Sequence, residues 1–201
     1  MSSLNAVSLV CTLTPSPSES SSEKIARDIE VELAKLDVTT TTFRVVDHAI
    51  RFGVEKDMGN GDEWPAIREA IVAADILLIS TPIWMGQVSS VAKMVLERLD
   101  AELSETDAEG RPSMYGKVAI VAVVGNEDGA HHVSAQIYQA LSDTGFTIAA
   151  GGPAYWVGEA MGSVDYKDLA KIPDKTAQTI QTNARNAVHV ARLLRSSNYP
   201  T

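Results

Sequence analysis

Three short apolar runs constrain the fold of this chain more than any other feature. Ala6 to Cys11 reads AVSLVC, Asp75 to Ser80 reads DILLIS and Lys117 to Val124 reads KVAIVAVV. Each has the length of a strand and is apolar at successive positions, as a strand covered on both faces of a parallel sheet must be. The segments between them carry helical spacing. A helix is expected from about Ser21 to Leu36, with Ile25, Ile29 and Leu33 on one face, hydroxyl caps at Ser20 to Ser22 and Glu23 near its start. Trp64 to Ala74 is expected as a second, with Pro65 in its first turn and Ile67 and Ile71 inward. A third is expected from Val91 to Leu103, a fourth from Ala130 to Thr144 and a last from Ile172 to Arg195. Two further strands complete the reading: Val38 to Val46, β-branched with one polar face and so an edge, and Phe146 to Ala150. The expectation is an α/β domain spanning residues 1–201, doubly wound around five parallel strands, with a frayed tail at 196–201.

Composition narrows the function. A chain of 201 residues with 45% hydrophobic content suits one sizeable core. The net charge of -9 argues against non-specific nucleic-acid binding. A single cysteine, Cys11, excludes an internal disulfide and any multi-cysteine metal or iron–sulfur site; it is expected as a buried thiol. Met1 to Val10 has no basic region ahead of its apolar residues, and no stretch is long enough to span a bilayer. A cytoplasmic location without membrane attachment is the expectation.

In a parallel sheet the carboxyl ends of all strands lie on one side, where open α/β sheets bind ligands. Three unusual loops meet there. Thr12 to Ser22 (TLTPSPSESSS) is rich in hydroxyls and ends at a helix start, where free amides and the helix dipole favour an anion. Capping would need only one of those hydroxyls. Thr81 to Ser90 (TPIWMGQVSS) sets Gly86 where a flat ligand could approach the backbone, and Trp84 where it offers an aromatic surface or packs into the core. Gly125 to His132 (GNEDGAHH) supplies turn geometry and exposed amides. His131 and His132 are adjacent and diverge on a helix, so no metal site is expected; His48 and His189 are assigned no role. The nucleotide loop Gly-x-x-x-x-Gly-Lys, the dinucleotide fingerprint Gly-x-Gly-x-x-Gly and the Gly-x-Ser-x-Gly nucleophile elbow are all absent. An anion site and aromatic walls without an acid–base engine point to a cofactor that carries the chemistry.

From Val7 to about Leu194 the element order and these loops resemble the flavodoxin-like superfamily, and more narrowly the NAD(P)H-dependent FMN reductases and flavodoxin-family oxidoreductases. The most specific piece is TPIWMGQVSSVAKMVLERLD, in which Pro, Trp and Gly precede a helix carrying Lys93 and Arg98. The second is VVGNEDGAHH; Ser20-Ser21-Ser22 stands where relatives often have Ser-Asn-Thr. The resemblance implies strand order 2-1-3-4-5 and a non-covalent FMN. The FMN phosphate would sit on Thr14, Ser16, Ser20, Ser21 and Ser22. Its ring would lie against Pro82, Ile83, Trp84, Met85 and Gly86, and against Gly125, Asn126, Glu127, Asp128 and Gly129. It further implies NAD(P)H as a transient co-substrate, a small-molecule electron acceptor and a homodimer or tetramer.

Two other functions stay open on the sequence: an electron carrier that binds FMN without nicotinamide turnover, and a non-flavin binding module on the same fold. Two long segments, Glu102 to Gly116 and Gly151 to Tyr166, lack a role in a five-stranded core. The second carries Tyr155, Trp156 and Met161, an apolar set expected at a subunit interface unless Trp156 folds back on its own domain.

Overall fold

The computed structural model describes residues 3–200. The three apolar runs form β1 (Leu4–Val10), β3 (Ile76–Trp84) and β5 (Val118–Gly125), joined by β2 (Val38–Arg44) outside β1. Alternate side chains of these strands enter opposite cores. Val7, Leu9, Leu77, Ile79, Val121 and Val123 pack under α2 (Trp64–Ala73), α3 (Ser90–Leu99) and α4 (Ala130–Asp143). Leu4, Ala6, Val10, Ile76, Leu78 and Ile120 pack under α1 (Ser21–Ala34) and α5 (Asp174–Ser196). Two cores, one on each face, explain why no polar alternation was visible in these strands.

The strand order is β2-β1-β3-β5, continued by β6 (Thr147–Ile148) and β7 (Ala154–Val157), all parallel to their neighbours. The doubly wound order 2-1-3-4-5 therefore holds, with the fifth strand split. The segment expected as strand five leaves β5 after Ile148, and pairing resumes only at Ala154. Gly151, Gly152 and Pro153 lie in the gap; both glycines have positive φ and the proline has no N–H to give a ladder.

Strand three runs further than its apolar run, through Pro82 to Trp84. The last β1 partner is Val10 opposite Ser80, so the missing N–H of Pro82 breaks no bond to that neighbour. Beyond it β4 (Gln87–Val88) folds back antiparallel to β3 as a short hairpin. The third helix ends at Leu99 and gives way to a tighter helical turn, Asp100–Ser104.

Two charged contacts hold the irregular segments that follow β2 and α3. Arg98 of α3 is wholly buried; its guanidinium donates to the carbonyls of Glu55 and Arg51 and pairs with Asp62 at 2.7 Å. Glu102, at the start of a segment given no role in the core, is buried and pairs with Arg68 and Ser113. The tail expected to fray docks instead: the Tyr199 ring lies edge-on to Tyr115 at 5.3 Å, and its hydroxyl is 2.9 Å from Thr147 Oγ1. Thr201 lies outside the described residues.

Candidate functional site

At the carboxyl edge of the sheet the three loops enclose a cavity of about 610 Å³. Its hydroxyl end is built by Thr12, Thr14, Ser20, Ser21 and Ser22, and its apolar end by Pro82, Ile83, Trp84 and Met85 facing Gly125, Asn126 and Glu127. Thus the structure brings eleven of the fifteen sequence-expected residues — Thr14, Ser20 to Ser22, Pro82 to Met85 and Gly125 to Glu127 — to one cavity. Ser20 is the N-cap of α1, its hydroxyl accepting from the Glu23 amide at 3.4 Å, so the amides of Ser21 and Ser22 open the helix's first turn. Trp84 is 55% exposed and belongs to the cavity wall, not the core.

The other four stand apart. Ser16 turns away: its amide and hydroxyl donate to Asp47 at 2.9 and 2.6 Å, and Arg44 donates to its hydroxyl. Those two bonds, with Arg44 and His48 nearby, hold the Asp47 carboxyl below its ordinary range. Arg44 also donates to the Ser18 carbonyl and pairs with Glu23, so a residue at the end of β2 fixes the proline-rich loop. Ser16 therefore shapes that loop and does not line the cavity. Gly86, Asp128 and Gly129 stand outside the lining of the cavity. A Cβ on Gly129 would stand 2.9 Å from the Cα of Gly86, so the two loops touch backbone to backbone. Glu127 completes the junction by accepting from the amides of Met85 and Gly86, both at 3.0 Å.

The remaining wall was missed by sequence reasoning. Trp156, Met161, Gly162, Asp165, Tyr166 and Lys167 all line the cavity. Trp156 packs on its own domain, 5.7 Å from the Tyr166 ring, which is the fold-back alternative that the sequence left open. The segment 158–167 is a strap across the cavity. Gly158 donates to the Gly125 carbonyl, Met161 to that of Asn126, and the Asn126 amide to Gly162 and Asp165. Its far end is pinned to α1: the buried Tyr166 hydroxyl donates to Asp28 at 2.8 Å, and the Lys167 amide to Ser21 Oγ at 3.1 Å. Burial first, then the Asp28 charge, raises the Tyr166 phenol well above its ordinary range. The one signal for this wall in the sequence was the aromatic pair Tyr155 and Trp156 just ahead of the strap.

His131 lies edge-on to Tyr155 at 5.1 Å, and His132 contacts Gln87 and Gln136. Among the described residues no three His, Cys, Asp or Glu side chains gather as metal ligands. Nor is any described helix long and apolar enough to cross a membrane. Cys11 is fully buried, and burial pushes its thiol far above the ordinary range.

Residues 9–162 match the family model of NADPH-dependent FMN reductases. The chain belongs to that family. FMN is accordingly its cofactor and redox catalysis its class of activity. Over 209 residues it is 33% identical to 8-demethyl-8-aminoriboflavin-5'-phosphate synthase of Streptomyces davaonensis, covering 98% of this chain and 81% of the relative. It is 34% identical over 200 residues to a divalent metal cation transporter MntH of Mycobacterium bovis, but the match spans 96% of this chain and only 29% of that protein. Among solved structures, RosB with bound 8-demethyl-8-formylriboflavin-5'-phosphate superposes with a TM-score of 0.89 at 32% identity, over 99% of this chain and 83% of that one. The apo form of an NADH:FMN oxidoreductase shares the fold, with a TM-score of 0.66 at 18% identity over 95% and 90% of the two chains.

The cavity of this FMN reductase-family protein suits the cofactor on its own chemistry. One end offers hydroxyls and a helix start to a phosphate; the other offers apolar and aromatic walls to a planar ring.

Proposed function

We propose that the protein is an FMN-dependent oxidoreductase that takes hydride from NAD(P)H and passes the electrons to a quinone, a free flavin or a similar small acceptor. The observation that carries this reading is the polarity of one cavity, hydroxyl-rich where α1 begins and aromatic at the β3–β4 hairpin. Bound FMN supplies the two-electron centre. The chain's residues do the rest. Thr14, Ser20, Ser21 and Ser22 hold the phosphate. Pro82 to Met85 and Gly125 to Glu127 flank the ring, while Gly86, Asp128 and Gly129 set their spacing. Trp156, Tyr166 and the strap exclude water from the inner wall.

A second reading follows from the 33% identity to a synthase named for a modified riboflavin phosphate: the flavin is substrate and not only cofactor. One experiment separates them. The full chain, loaded with FMN, is mixed anaerobically with NADPH or NADH and then with acceptor. Bleaching and reoxidation over many cycles, with flavin of unchanged mass, support the first reading. A recovered flavin of altered mass supports the second. No bleaching with either nicotinamide refutes the first.

The same reading proposes a cytoplasmic enzyme that works as a homodimer or tetramer. Trp84, Met85 and Met161, at 55%, 89% and 94% exposure, leave an apolar rim at the mouth for a neighbour to cover. Light scattering at micromolar concentration reads the assembly; a monomer there refutes it.

A further inference from the structure

We infer that Lys167 is the residue by which this protein tells a phosphorylated flavin from an unphosphorylated one. The inference rests on the flavin reading of the cavity and deepens it. The hydroxyls and helix start favour an anion, but the charged side chains around them do not. Glu19, Glu127 and Asp165 line the cavity against a single cation among the described lining residues, Lys167. Without that cation, a phosphate dianion would enter a field of like charge.

Lys167 stands at the correct end. Its own amide is bonded to Ser21 Oγ, which places its Cα beside the hydroxyl cluster. Its ammonium is parked 2.7 Å from Asp168 and 3.8 Å from Asp165, in a side chain that is 29% exposed. Ion pairs that solvent can reach are weak, so the ammonium can exchange Asp168 for a dianion at little cost. A flexible four-carbon stem permits that movement. The rest of the strap need not follow. The amide bond to Ser21, the reciprocal Asp165–Asp168 cap and the Tyr166–Asp28 bond do not use the lysine side chain. Lys167 also lies beyond residues 9–162, the span that matches the family model, so it is a feature that the match does not supply.

The test titrates the full chain, stripped of flavin, with FMN and separately with riboflavin, following flavin fluorescence at low and high salt. Lys167→Met should weaken FMN by about 10- to 100-fold, the loss expected for a charged hydrogen bond, and leave riboflavin within about twofold. The salt dependence of FMN binding should fall with it. Lys167→Arg should recover most of the preference. An equal fall for both flavins would assign Lys167 a structural role and overturn the inference, as would an unchanged FMN-to-riboflavin ratio. A wild-type chain that binds both flavins equally overturns it alone; one that binds neither overturns the flavin reading as well.

Discussion

Glu127→Ala removes the carboxylate that holds the β3–β4 hairpin to the loop after β5. Its oxygens accept from the amides of Met85 and Gly86, at 3.0 Å each. A hydrogen bond to a charged acceptor contributes about 1.5–3 kcal/mol where its partners stay dry. Met85 is 89% exposed, so its freed amide turns to water, and we assign that bond about 0.5 kcal/mol. The Gly86 amide is half-buried and retains about 1–1.5 kcal/mol. The sum, about 1.5–2 kcal/mol, lowers the Tm of a domain of this size by roughly 3–8 °C. Both residues hold positive φ, +54° at Met85 and +69° at Gly86, and the carboxylate helps to fix that backbone. Released, the hairpin loses the shape that faces the ring, and FMN affinity should fall by about 5- to 30-fold. Glu127→Gln keeps one acceptor but turns an NH₂ toward the second amide, so it should lie between. Calorimetry and FMN titration on both variants give the answer. A Tm within about 1 °C of wild type together with an unchanged Kd would refute the reasoning.

Arg98→Met should cost about 3–5 kcal/mol, because it strands the buried Asp62 carboxylate, yet leave FMN affinity within about twofold; a parallel loss of FMN binding would contradict the placement of that clamp away from the cavity. Asp62 also predicts a pH dependence. Burial opposes its ionisation, but the amides of Met58, Arg51 and Trp64 and the Arg98 guanidinium outweigh it and hold its pKa at about 2. The stability it contributes is present above about pH 4 and lost as pH falls toward 2, so Asp62→Asn should flatten the acid limb of urea midpoints; equal limbs would reject this. Ser16→Ala should leave FMN affinity unchanged, whereas the Ser20→Ala, Ser22→Ala double variant should weaken it by about tenfold; the reverse pattern would move the phosphate to Ser16.

Much of this architecture was legible because it rests on local patterns. Strands covered on both faces show as apolar runs, and α1 announces its start through Ser20 and Glu23. What stayed hidden depends on partners far apart in the chain. Ser16 and Ser20 are the same residue type in one hydroxyl-rich loop, and only Asp47, 31 residues on from Ser16, separates their roles. Trp156 and Lys167 reach the cavity because the last strand breaks after Ile148 and resumes at Ala154, an event decided by sheet pairing. The aromatics of 151–166 were visible, but a surface interface and an inward wall demand the same composition.

The contact between Gly86 and Gly129 bears on how such a protein can diversify. Gly129 cannot gain a side chain without separating the two loops, and Gly86, at φ +69°, holds a backbone conformation that other residues adopt only under strain, so both loops are constrained as one piece. Variation is thereby channelled outward, to Met85 and Met161, whose side chains stand almost wholly in water on either side of the cavity. Substituting these two positions can reshape what reaches the mouth while the frame behind it stays constant. Acceptor range can then drift between relatives that keep an identical ring-binding frame, and libraries restricted to those two positions are where new acceptors should be sought first.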